Sequence, residues 1–168
     1  MGILSGNPKE EPMHYGEVYT LWNYALAAKG KVASFQAMMN HVGDRDLKKL
    51  MEDMSESMKD EIKQVEDILR ENGIASPPTT AERPKVNLVG ARFTDPEIAV
   101  MVGADISAGL IACSTIIGQS IREDIGMMFG QFHASRMVFA GKSLRMNKEK
   151  GWLVPPPLHV QTAEPVHA

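Results

Sequence analysis

The 168-residue chain sets 18 Lys and Arg against 21 Asp and Glu, a net charge of −3. That balance offers no electrostatic footprint for nucleic acid or an anionic membrane surface, and the length suits one domain with a core large enough to fold alone. Aromatic residues make up only 6% against 12 Met, so Met and aliphatic side chains must fill the core. Cys113 is the only cysteine, which excludes an internal disulfide; its apolar neighbours predict a buried, inert thiol.

At the N-terminus, Met1 to Pro12 lacks a charged start followed by an apolar stretch, so no secretory signal is expected. Gly6 stands where an acylation signal needs Ser or Thr. Residues 1–15 are expected to be a flexible lead-in. The longest apolar segment, Gly109 to Gly118, is too short to cross a bilayer. A soluble chain without membrane insertion, cytoplasmic in the producing cell, is expected.

The first helix is predicted from about Gly16 to Val42. Val18, Leu21, Ala25, Ala28, Val32, Phe35, Met39 and Val42 fall at alternating steps of three and four, which keeps one stripe on one face. Gly43 supplies a turn and Asp44 an N-cap for a second helix over Arg45 to Asn72. Its stripe is Leu47, Met51, Met54, Met58, Ile62, Val65 and Leu69. The opposite side carries mixed charges such as Lys59, Asp60, Lys63, Asp67 and Arg70, which reads as a solvated face. Asn72-Gly73 ends the helix.

From Ile74 to Phe93 the periodicity stops, and Pro77-Pro78 and Pro84 forbid helix across much of the segment. Twenty extended residues reach roughly 65 Å, whereas a 25-residue helix is about 37 Å long. The segment can therefore climb the whole bundle and start the third helix beside the start of the second. This predicts an all-α, ferritin-like four-helix bundle over residues 16–150, with one long crossover at 74–93.

The third helix opens on Thr94-Asp95-Pro96-Glu97, a capping box with proline in the first turn, and runs to about Gln119. It is apolar nearly all round and is expected to be the most buried helix. Ser120-Ile121-Arg122-Glu123 reads as a second capping box, opening a fourth helix that ends near Lys148. Gly151 stops it. Trp152 to Leu158 follows as an apolar, proline-bearing strap expected to dock on the bundle end, and the tail to Ala168 is expected to fray.

An inward-facing di-iron or di-manganese site needs carboxylates from two helices and Glu-x-x-His pairs from the others. After Glu17 the first helix has no acid before Asp44. His41 and His133 are preceded three positions earlier by Met38 and Gly130. No metal site, cofactor or catalytic residue is therefore assigned. Met38-Met39 and Met127-Met128 read as core filler, not soft metal donors. One polar constellation survives. Counted from the junction of helices three and four, Asp105 and His133 lie level, with Arg136 one turn beyond. Asp105 interrupts an apolar helix, so a partner or an escape to solvent is required.

Three runs carry a family likeness: Gly90-Ala91-Arg92-Phe93-Thr94-Asp95-Pro96-Glu97-Ile98-Ala99, Gly118-Gln119-Ser120-Ile121-Arg122-Glu123-Asp124-Ile125-Gly126-Met127-Met128-Phe129, and Leu144-Arg145-Met146-Asn147-Lys148-Glu149-Lys150-Gly151-Trp152-Leu153-Val154-Pro155-Pro156-Pro157. Together they resemble a ferritin-like family of endospore-forming bacilli whose members carry the label "putative spore coat protein", by likeness to spore coat protein F. The resemblance spans about Tyr15 to Leu158. It implies a helical bundle and brings no catalytic residues. It also implies a non-enzymatic structural or interaction role, assembly into the spore coat, and other coat proteins as partners. The alternative is a metal- or small-ligand-binding bundle, an oxidoreductase or sensor, using the polar site. Independently, the apolar third helix and the glycine-bearing fourth offer more apolar surface than one core needs, which predicts a homo-oligomer, a dimer.

Overall fold

The computed structural model describes residues 11–79, 81–157 and 159. Among these residues four helices form: α1 (Tyr15–Met38), α2 (Arg45–Glu71), α3 (Asp95–Gln119) and α4 (Glu123–Glu149). The expected tail beyond 160, and residues 1–10 of the expected lead-in, lie outside the described residues.

Local chemistry sets the boundaries. Asp44 caps α2 by accepting from the Asp46 and Leu47 amides, both at 3.0 Å. At the far end Gly73 adopts φ +72°, and the Ile74 amide reaches back to the Leu69 carbonyl at 2.9 Å. A side chain at 73 would strain this left-handed turn. The Thr94 amide donates to Glu97 at 2.8 Å, so the predicted box opens α3.

The predicted second box does not form. Ser120 instead closes α3, its hydroxyl donating to the Ile116 carbonyl at 2.8 Å, and α4 starts at Glu123. The carboxylate that caps this turn comes from α1. Glu17, only 1% exposed, accepts from the amides of Ile121 (2.8 Å) and Arg122 (3.0 Å), and from His14 at its own helix start (3.2 Å). A negative group at the mouth of α4 also complements that helix's dipole.

Asp95 does the reciprocal job at the other end. Its carboxylate accepts from the Gly43 and Asp44 amides at 2.9 and 3.0 Å, which places the starts of α2 and α3 side by side. Lys150, at the end of α4, joins the same corner through Asp44 and Asp46, both at 2.7 Å. Helices α2 and α3 therefore run parallel, as the crossover length predicts, and each hairpin is antiparallel within itself.

The crossover climbs along α1, held by a polar stripe at steps of seven, seven and four. Trp22 donates to the Ala75 carbonyl (3.1 Å) and Lys29 to the Pro77 carbonyl (2.5 Å). Gln36 accepts from the Arg83 amide (3.1 Å). Asn40 bonds the Pro84 carbonyl and the Val86 and Leu88 amides. A proline-rich strand must satisfy its backbone somewhere, and these side chains do so. Asn40 leaves the helix to reach it, which is why α1 stops at Met38 and not at the predicted Val42.

The core forms two apolar clusters. One gathers Leu21, Tyr24, Val65, Leu69, Cys113, Ile125, Phe129 and Phe132 near the α3–α4 turn. The other gathers Phe35, Leu47, Met51, Ile98, Val102 and Met146 near the α2 start, with Trp152 packed against it. Contrary to expectation, α3 is not the most buried helix. Only one face of it is inside, through Ile98, Ala99, Val102, Ile106, Cys113 and Ile116. By length and composition α3 as a whole could cross a membrane, which corrects the reading based on residues 109–118 alone; a core helix passes the same test.

Candidate functional site: an ion-pair layer at the waist of the bundle

Between the two apolar clusters lies a polar layer drawn from all four helices. Arg136 on α4 forms a two-pronged pair with Glu61 on α2, at 2.8 and 2.7 Å. Its Nη2 also donates to the Tyr24 hydroxyl of α1 at 2.7 Å, and that hydroxyl donates to Glu61 at 2.6 Å. Glu61 and Tyr24 are buried, Arg136 is largely so, and each satisfies the others, the condition under which buried charge is tolerated. Gly109 of α3 makes the room: a Cβ there would collide with Arg136 Nε.

The electrostatics follow from burial and neighbours. Burial pushes the Tyr24 hydroxyl well above its ordinary value, the Glu61 charge pushes the same way, and Arg136 only partly opposes them. Burial works against the Arg136 charge, but the bonds to Glu61 more than offset it and hold the guanidinium above its usual range. Burial likewise raises the Cys113 thiol, keeping it neutral and unreactive as expected. A hydroxyl raised on folding stabilises the fold below the ordinary tyrosine range, and that contribution is lost as pH rises past about 10. In an alkaline titration, ionisation of Tyr24 is therefore expected to coincide with loss of helical circular dichroism. Tyr24→Phe should remove that step. Tyr24 ionising in a fully helical protein would show the hydroxyl to be open to solvent.

Asp105 finds a different partner from the one its level suggests. It pairs with Lys31 of α1, not with His133. Asp105 and Arg136 line the same cavity, and His133, the residue counted as level with Asp105, is not among its lining residues. Helix α3 lies beside α1 and α4 beside α2, so Asp105 turns to Lys31 while Arg136 turns to Glu61. His133 remains half-buried on α4.

Sequence reasoning missed Tyr24, Lys31 and Glu61. A signal for Glu61 was present: it falls three after Met58 and four before Val65, on the apolar stripe of α2. Lys29 and Lys31 gave a second, as cations in a stretch of α1 without acids. Both find partners on other elements, Lys29 on Glu66 at 2.5 Å. Among the described residues, no three His, Cys, Asp or Glu side chains converge as a metal site would need.

The model of a family described as "protein of unknown function (DUF3231)" matches residues 1–164. The chain is 56% identical over 165 residues to the uncharacterised protein YvdQ of Bacillus subtilis (strain 168), covering 96% of this chain and 97% of that one. The fold is similar to a crystal structure from Bacillus halodurans C-125 described as a "putative spore coat protein". There the TM-score is 0.89 and the identity 48%, over 92% of this chain and all of that chain.

Proposed function

This chain belongs to the DUF3231 family, and from that premise we propose that it is a non-enzymatic structural subunit of the spore coat that works by pairing through one outer face. The observation that carries this reading is the absence of charge on the outside of the α3–α4 hairpin. Between Glu97 and Arg122 the only Asp, Glu, Lys or Arg is Asp105, which turns in to Lys31. Between Asp124 and Lys142 the only one is Arg136, locked onto Glu61.

What remains outside is apolar or small. Val100, Ala104, Ser107, Ile111, Ser114 and Gly118 form an exposed stripe at steps of three and four along α3. Val100 is 64% and Ile111 69% exposed; on α4, Met127 is 69%, Met137 59% and Val138 58% exposed. Met127 is thus surface and not the core filler its spacing predicts. An uncharged face this long is unusual on a monomer, and small residues let helices approach closely.

The size suits a second copy. The uncharged outer faces of α3 (98–119, about 33 Å) and α4 (125–141, about 25 Å), each roughly 10 Å wide, offer on the order of 600 Å², toward the ~800 Å² per partner of a standard interface. A face without charge is self-complementary, as a twofold contact requires. The likeness to a protein described as a "putative spore coat protein" supports the place of assembly. The waist supports the absence of chemistry, since the Glu61 oxygens and the Tyr24 hydroxyl are engaged with other protein groups.

At micromolar concentration, sedimentation should give a dimer, and Ile111→Glu with Val138→Glu should give a helical monomer. A monomeric wild type would sink the pairing, and flotation of that monomer with lipid vesicles would assign the face to a membrane. Absence from the coat fraction of purified spores, with normal spores on deletion, would defeat the coat role.

A further inference from the structure

We propose that the waist of the bundle is a binding site for one small, neutral, single-ring molecule. A cavity of about 150 Å³ separates the two apolar clusters, the volume of a pocket that can take a benzene-sized guest. It exists because the helices place small residues where larger side chains would otherwise meet: Ala28 on α1 and Ala112 on α3. Phe35, Phe139, Met54 and Met58 supply an apolar, polarisable wall.

The charged lining sets the class of guest. Lys31 and Arg136 face Asp105 and Glu61, so the charges cancel, and each pair is already closed. An anion or a cation that paired inside the cavity would have to break the Arg136–Glu61 pair, at the cost of leaving a partner buried and unmatched. A neutral molecule leaves both pairs intact. Its body would lie against the Phe and Met wall, and a single hydroxyl could meet the polar side near Tyr24 and Ser57.

Access lies between α1 and α3. Ala27 and Ala108 are exposed there, and the Lys31–Asp105 pair sits at the rim, with side chains 45% and 20% exposed. A partly exposed pair of this kind is weakly held, so it can swing aside, whereas the Arg136–Glu61 pair behind it stays as the floor. The outer face of the α3–α4 hairpin plays no part, so occupancy does not depend on pairing of two copies.

The test is a titration of the full chain, labelled at its methionine methyl carbons, with benzene, phenol and benzoate, followed by NMR. Phenol and benzene should shift the Met54 and Met58 methyls saturably while the exposed Met127 and Met137 stay fixed; benzoate should bind at least about tenfold more weakly. Ala112→Leu, or Ala28→Leu should the first fail to fold, should abolish the shifts. If the wild-type Met54 and Met58 methyls show no saturable shift up to the solubility of the probes, the cavity holds water only and the proposal fails. Benzoate binding as tightly as phenol would overturn the neutral-guest assignment.

Discussion

Arg136→Ala is expected to destabilise the bundle by about 3–5 kcal/mol, because it leaves the Glu61 carboxylate buried without its cation and strips the Tyr24 hydroxyl of a donor. For a chain of this size that corresponds to a fall in melting temperature of roughly 6–20 °C. Glu61→Ala should cost a similar amount by orphaning the guanidinium. The loss belongs to the broken pair and not to a missing attraction, so removing all the polar members together should behave differently. Arg136→Met with Glu61→Leu and Tyr24→Phe is expected to recover most of the stability, since an apolar layer of similar volume carries no desolvation cost. Thermal and urea unfolding of the single and triple variants would check both. A single-variant loss below about 1 kcal/mol, the range of exposed pairs, would mean that water reaches the layer.

Glu17→Ala should be the next most damaging change, at about 2–4 kcal/mol. It removes one carboxylate that accepts from three backbone amides, those of His14, Ile121 and Arg122; a hydrogen bond to a charged group has a net worth of about 1.5–3 kcal/mol, and water entering in place of the carboxylate recovers part of the sum. Glu17→Gln should fall between the wild type and alanine. Its amide keeps one acceptor oxygen, but the other side presents N–H groups to backbone donors. Urea unfolding of both variants gives the ranking directly. Equal stability of the alanine variant and the wild type would show that the α3–α4 turn is satisfied by other means.

The two changes bear on what a sequence discloses. Helix periods, Asp44, the Thr94–Glu97 pair and the crossover were legible because each rests on local chemistry or on simple reach. Counting residues to a turn put Asp105 level with His133, one turn short of the Arg136 that lines the same cavity. Counting does not reveal which neighbour Asp105 faces, because a difference of one lateral neighbour depends on how the hairpins rotate against each other. The role of Ser120 was misread for a related reason. Its pattern fits a box, but Glu17 lies 104 positions before Ile121, and its carboxylate outcompetes the local hydroxyl. The burial of α3 was overestimated because hydropathy does not distinguish a core face from an apolar face left exposed.

Glu17 and Asp95 also bear on how the protein comes apart. Each sits at the first turn of one hairpin and holds the bend of the other. Neither bend is satisfied when its hairpin is alone, so the halves have little chance of melting one after the other. Unfolding should be a single cooperative event, and damage at Glu17 should show first as faster amide exchange at residues 121 and 122, in the half of the chain that was never altered.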